Sequence, residues 1–192
     1  MGDSINVMLQ KIWLLELGIG WGVLLLAFLR AHPWARLQSR TSRSSSAGWG
    51  YVFILTALLF LLIPYSPSGA GKPALFLQAA IVLAFVSFVI SVAALFGTRR
   101  KLWMPEDERH PMLPKTGIFS SIRHPVYTSL IFLAAATAVT RTWWLMMGPG
   151  FFFLILGIAL RAAADDLGLA NVFQEEFLEY QAQTRSYFPL IR

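Results

Sequence analysis

Residues 74 to 97 read ALFLQAAIVLAFVSFVISVAALFG, without one charged side chain. A helix of that length extends about 36 Å, enough to cross a bilayer with some tilt. Four further apolar runs, 12–29, 48–65, 126–140 and 143–164, flank it. The pattern predicts an all-α fold, an integral membrane bundle of five transmembrane helices. After the fifth run the pattern changes. In 165–181, DDLGLANVFQEEFLEYQ, residues Leu169, Val172, Phe173, Phe177 and Tyr180 recur at steps of three and four, opposite Gln174, Glu175 and Glu179. Such a stripe predicts an amphipathic C-terminal helix, too polar to span, that lies on the membrane or folds over the mouth of the bundle. Pro189 stops it.

Residues 1–100 form a three-helix membrane region. Residues 101–192 add a polar loop, a transmembrane hairpin and the amphipathic helix, the two parts making one integrated domain. The Ser/Arg-rich stretch 31–49 reads as a solvated linker touching anionic headgroups, and PYSPSGAGKP, 64–73, as a compact turn. Only a few residues around Thr142 join the last two spans, which predicts a tight hairpin with Tyr127 and Arg161 close together at one end. Trp143 and Trp144 suit interface anchors. Gly148-Pro149-Gly150 predicts a kink in the fifth span.

Charge orients this bundle. Of sixteen Lys and Arg, the loops on one side hold Arg30, Arg36, Arg40, Arg43, Arg99, Arg100, Lys101, Arg109, Lys115, Arg123, Arg161, Arg185 and Arg192. The other side keeps Lys11, Lys72 and Arg141. This asymmetry places the N-terminus outside and the C-terminus, with the 109–129 loop, in the cytoplasm. It also explains the net charge of +6 without nucleic acid. The first span carries Glu16, and an Arg-rich stretch rather than a small-residue cleavage site follows it, so it reads as a true span and not a signal peptide. The chain has no cysteine, which excludes disulfides, thiolate nucleophiles and cysteine-ligated metals.

Two constellations carry candidate chemistry. The loop LPKTGIFSSIRHPVY, residues 113–127, offers Gly117 for a turn, Ser120 or Ser121 as caps, and Arg123-His124 just before Pro125, a first-turn proline for the next helix. A guanidinium, an imidazole and free amides at a helix start favour anionic groups. The second is Arg161-Ala-Ala-Ala-Asp165-Asp166. Arg161 and Asp165 share a helix face and can pair, while Asp166 points about a hundred degrees away. Charges at the end of a membrane helix are costly unless they face protein or a wet cavity. The histidines at 32, 110 and 124 each precede proline and show no metal-ligand spacing. Glu106-Asp107-Glu108 reads as a solvated turn, and no phosphate-binding glycine motif occurs.

In order and spacing, these stretches resemble the isoprenylcysteine carboxyl methyltransferase family and its phospholipid methyltransferase relatives. The resemblance rests on Leu113, Gly117 and Phe119, then Arg123-His124-Pro125 with Tyr127, then the hairpin, then Arg161, Asp165-Asp166, Leu169, Phe173, Phe177, Tyr180 and Pro189. It covers about the last eighty residues. Phe119 and Phe177 stand where the family usually has Tyr, Gln174 where it has Gly, and the Asp pair where it has a Glu pair. The resemblance implies S-adenosylmethionine as cofactor, bound at the cytoplasmic end by Lys115, Gly117, Ile118, Phe119, Arg123, His124, Tyr127 and Tyr180. It implies Arg161, Asp165 and Asp166 as the catalytic group, with methyl transferred to a lipophilic acceptor entering from the bilayer, a prenylcysteine-type carboxylate first among the candidates. Alternatives are transfer to a phospholipid or amine, a membrane reductase of the sterol-reductase type holding a nicotinamide 2'-phosphate on Lys115, Arg123 and Arg185, and a non-catalytic relative.

Overall fold

A computed structural model of the chain describes residues 18–27, 45–62, 74–97, 113–139 and 144–188, with positions 8, 11 and 15. Among the described residues the fold is all-helical, without a β-strand: α1 (Gly18–Ala27), α2 (Ser45–Leu62), α3 (Ala74–Gly97), a 3-10 turn (Gly117–Ser120), α4 (Pro125–Val139), α5 (Trp144–Phe173) and α6 (Glu175–Gln183). The expectations for Glu16, residues 31–44 of the first loop, the 64–73 turn, His32, the acidic run at 106–108, His110, Trp143 and Pro189 lie outside the described residues, as does the side chain of Trp144; residues 45–49, expected in the linker, are instead the first turn of α2.

Small residues decide which helices pair. On α3, Ala80, Ala84, Ser87, Ser91 and Ala94 are buried at alternating steps of four and three. That seam lies against α4, where the Ser87 hydroxyl donates to the Ser129 carbonyl at 2.8 Å. On α2, Gly50, Ile54, Ala57 and Leu61 repeat the spacing against Gly150, Leu154 and Gly157 of α5. There the backbones nearly touch: a Cβ on Gly157 would stand 2.8 Å from the Ile54 amide nitrogen and 2.9 Å from the Gly50 oxygen. Small residues let apolar helices approach closely where water gives no driving force. α4, flanked by α1 and α3, is buried on most of its surface, and Leu133 packs over Gly20. One core cluster draws Leu24, Ile54, Leu130, Leu133, Leu154 and Ile158 together from both pairs.

Three sequence expectations change. First, two helices are long and apolar enough to cross a membrane, Leu75–Gly97 and Met147–Phe173; Gly18–Ala27, Gly48–Leu61 and Pro125–Val139 are apolar but shorter. Second, α4 and α5 do not form a closely packed hairpin. Each packs mainly on another helix, α4 on α3 and α5 on α2, because the small-residue seams lie there. Third, the amphipathic segment is not one helix over 165–181. α5 runs on to Phe173, carried by helix-forming Ala162, Ala163, Ala164 and Leu167, and the chain breaks at Gln174, whose φ of 47° lies in the left-handed region. Pro149 lies inside α5, past its first turn, and cannot donate the backbone bond to the carbonyl four residues before it.

After this break α6 folds back over the polar end of the bundle. Phe177 and Tyr180 are buried with Leu113, against Leu169, Ala170 and Phe173. The apolar stripe thus packs on the end of α5 and on the segment before the 3-10 turn. Outward, the helices present large apolar side chains, among them Leu55, Leu59, Phe85, Val89 and Ile155.

Candidate functional site

The site is built where α4 begins and α5 leaves the apolar region. Gly117 takes φ +66°, as the turn requires, and opens the 3-10 turn; the Ser120 hydroxyl donates back to the Gly117 carbonyl at 2.7 Å. Pro125 starts α4 as a first-turn proline, and the His124 carbonyl receives the amides of Tyr127 and Thr128, both at 3.1 Å. The segment before the helix pairs with the chain after α6. Arg123 N donates to the Arg185 carbonyl at 2.7 Å, His124 N to the Ser186 carbonyl at 3.0 Å, and Arg185 N to the Ser121 carbonyl at 3.2 Å. Residues 121–124 and 185–187 thus form a short parallel strap around a single bridge, Ile122 to Arg185.

Two neighbouring carboxylates of α5 collect the charged groups. Asp165 takes the Arg161 guanidinium at 2.6 Å on one oxygen and the Tyr127 hydroxyl, as donor, at 2.7 Å on the other. Asp166 faces the His124 Nε2 at 2.9 Å and the Arg123 Nη2 at 3.5 Å. The aspartate side chains keep 25% and 20% exposure, so their partners leave them open on one side. Arg161, by contrast, is buried between α2 and α5, its guanidinium carbon 4.7 Å above the Tyr51 ring centre.

Arg123 acts mostly as a clamp. Its Nη1 donates to the carbonyls of Gln181 (3.1 Å) and Thr184 (2.8 Å), and its Nη2 to the Ser186 hydroxyl (2.7 Å). Its Nε–H is buried and has no acceptor among the described residues. The His124 ring stands between the Tyr127 and Tyr187 rings, centroids 5.7 and 5.9 Å away.

The structure therefore brings together Arg123, His124, Tyr127, Arg161, Asp165 and Asp166, from two stretches about forty residues apart. The remaining candidates lie in the clasp around them. Phe119 is buried over Gly97, where a Cβ would come within 2.8 Å of its ring. Its carbonyl accepts the Tyr180 hydroxyl at 2.6 Å, so Tyr180 ties α6 to the turn. Burial pushes the Tyr180 phenol up to about 12. The Tyr187 phenol is also raised, by burial first and then by the Asp166 charge. Ile118 is half-buried and offers its carbonyl to the amides of Ser121 and Ile122. Gly117 is exposed, and Lys115 is exposed and pairs with Glu176 at 3.0 Å, a surface contact of small energetic weight.

Sequence reasoning missed three contributors. Tyr51 comes from α2, far outside either constellation, and a lone aromatic in an apolar run carries no signal of its own. Ser186 and Tyr187 stood in a segment read only as a helix stop, yet Ser186 anchors Arg123 and the Tyr187 carbonyl receives the Thr128 hydroxyl at 2.7 Å. Comparison of this chain with protein-family models, with curated proteins and with solved structures gives no match.

Proposed function

We propose that the chain is an integral-membrane methyltransferase that uses S-adenosylmethionine and methylates a lipophilic, anionic acceptor. One observation carries the reading: adjacent, partly open carboxylates at the end of an apolar helix, each held by its own cation and aromatic partner. Ionisable groups gathered in an apolar bundle mark a functional site even when, as here, they pair with one another. In this reading the bundle is set in the membrane through the two long apolar helices, Leu75–Gly97 and Met147–Phe173, with the site in the cytoplasm. Support comes from the inside-out packing. The α3 seam is small or hydroxylic and α2 meets α5 on glycines, while the large apolar Leu55, Leu59, Phe85 and Val89 face outward, an arrangement that suits lipid.

The residues fit the amino-acid end of the cofactor, which carries an ammonium and a carboxylate. Asp165 and Asp166 offer partly exposed carboxylates to the ammonium, and the buried Arg123 Nε–H, without an acceptor among the described residues, can donate to an anionic oxygen. Bound there, S-adenosylmethionine would supply a sulfonium methyl group for an acceptor oxygen, with the neutral thioether as leaving group. The chain's own part is placement. His124 and Arg123 fix Asp166, Tyr127 and Arg161 fix Asp165, and Arg161 orients an acceptor carboxylate, already ionised at neutral pH. Leu113, Phe177 and Tyr180 roof the polar end and exclude water. Orientation and exclusion of solvent can supply roughly 7 kcal/mol of the barrier reduction in such a transfer. The reductase alternative would hold a 2'-phosphate on Lys115, Arg123 and Arg185; of these Arg123 is engaged by the Gln181 and Thr184 carbonyls.

Calorimetric titration of detergent-purified protein with S-adenosylhomocysteine, the demethylated product, tests the proposal, with NADPH titrated in parallel. Saturable binding of the first and none of the second is expected. Absence of binding by S-adenosylhomocysteine ends the proposal.

A further inference from the structure

The row of rings beside the carboxylate pair has one member that is not sealed. His124 lies between Tyr127 and Tyr187, their planes tilted from its own by 36° and 37°. Tyr127 and His124 are both 7% exposed, and both are engaged, Tyr127 by Asp165 and His124 by Asp166. Tyr187 is only half-buried. Its backbone is nevertheless fixed. His124 N donates to the preceding carbonyl, that of Ser186, at 3.0 Å, and the Thr128 hydroxyl donates to the Tyr187 carbonyl at 2.7 Å. One part of the ring packs on the bundle core, and the rest stays open.

The ring stands within electrostatic reach of both aspartates. After burial, the Asp166 charge does most to raise its phenol, with Arg123 opposing and Asp165 adding to it. The phenol is therefore neutral at neutral pH. A neutral aromatic face carries a negative quadrupole and attracts cations, more strongly where water is partly excluded. A half-open ring beside two partly exposed carboxylates suits an organic cation.

We propose that Tyr187 is a specificity-determining residue, its ring face taking the sulfonium of S-adenosylmethionine and so separating the charged cofactor from the neutral thioether left after transfer. The proposal rests on the methyltransferase reading. The two molecules share the adenosine and the amino-acid end, and differ by one methyl group and one positive charge at sulfur. Groups that hold the shared parts do not tell them apart; what senses the charge does, the carboxylates at a distance and the ring by contact. Three carbons separate the ammonium from the sulfonium. A molecule held by its ammonium at Asp166 thus keeps the sulfonium within reach of a ring next to His124. Spent product then leaves in favour of fresh cofactor.

Calorimetric titration of the full-length protein in detergent, without acceptor, tests this. S-adenosylmethionine and S-adenosylhomocysteine are titrated separately, and the ratio of their dissociation constants is read. Tyr187→Leu and Tyr187→Met should lower the preference for S-adenosylmethionine about fivefold, while Tyr187→Phe, which keeps the ring, should hold it within about twofold of the parent. Pentafluorophenylalanine at position 187 keeps the shape of the Phe variant but removes the negative face. It should behave like the Leu variant, and it decides the matter if the ring-less variants do not fold. An unchanged ratio with pentafluorophenylalanine or in the folded ring-less variants overturns the proposal. So does an equal weakening of both ligands, which a packing role alone would give, and so does a Tyr187→Phe protein that loses the preference. A parent protein that binds neither ligand removes the methyltransferase reading and this inference with it; a parent that binds both keeps that reading whatever the ratios show.

Discussion

Asp165 and Asp166 are adjacent in sequence but belong to different parts of the molecule. Asp165 faces into the bundle, where Arg161 and Tyr127 hold it and Tyr51 backs the arginine. Asp166 faces the polar strap, where His124 and Arg123 hold it and Arg123 also clamps the carbonyls after α6. A helix turns about a hundred degrees per residue, so consecutive side chains serve separate neighbourhoods. The bundle side fixes a charge among apolar helices. The strap side fixes the chain that closes over it. A ligand touching both carboxylates would couple the two.

The largest effect should come from removing the bundle-side cation. Arg161→Ala leaves Asp165 without its charge partner, and loss of one member of a buried pair costs on the order of 3 kcal/mol, lessened here by the partial exposure of Asp165. Thermal melting in detergent and loss of methyl transfer measure it; a variant as stable and active as the parent would show that the bundle side carries no special role.

On the strap side, Arg123→Lys keeps the charge but loses the fork that reaches Gln181, Thr184 and Ser186 at once. A cost of about 2 kcal/mol is expected. Hydrogen exchange should rise at the amides of 184–186 and hardly change in α2 and α5. Equal loosening of both regions would argue against separate neighbourhoods.

Tyr127→Phe makes a finer cut, deleting one hydrogen bond to a charged oxygen of Asp165 for about 1.5 kcal/mol. Its effect should be smaller than that of Arg161→Ala, and the two should not add in a double mutant, because both act on the same carboxylate.

A pH dependence, confined to strongly alkaline solution, gives a further test. Tyr180 ionises near 10.0 when unfolded and at about 12 in the fold. The fold therefore favours the neutral phenol. Its contribution is complete below pH 10 and is lost as pH rises from there through 12. The melting-temperature gap between the parent and Tyr180→Phe should shrink over that range. A constant gap would mean that the Tyr180 hydroxyl bonded to Phe119 is not what titrates.

Much of this was legible in the residue pattern. Charge-free 74–97 could only be a long apolar helix, and α3 has those bounds. Pro125 marked the start of α4 because proline tolerates the first helical turn, and Gly117 marked the turn because its backbone conformation suits glycine. Arg161 and Asp165 were visible as a pair because four residues make about one helical turn. Hidden were the features that depend on a distant partner. The extension of α5 to Phe173 was masked by its polar residues, which read as a change of element. The choice of α3 and α2 over the chain neighbour was written only in seams of Ala, Ser and Gly, whose meaning appears when the opposite helix is known.

Local chain chemistry thus determined the elements and the residues able to carry charge: apolar runs, helix starts, and a carboxylate pair one turn from an arginine. Tertiary structure alone decided that His124 meets Asp166, that Tyr127 meets Asp165, and that Tyr51 lies under Arg161. The reason is one of range. Backbone preference and periodicity act over a turn or two, whereas these contacts join residues 38 to 42 positions apart, or more than a hundred in the case of Tyr51, and packing sets them.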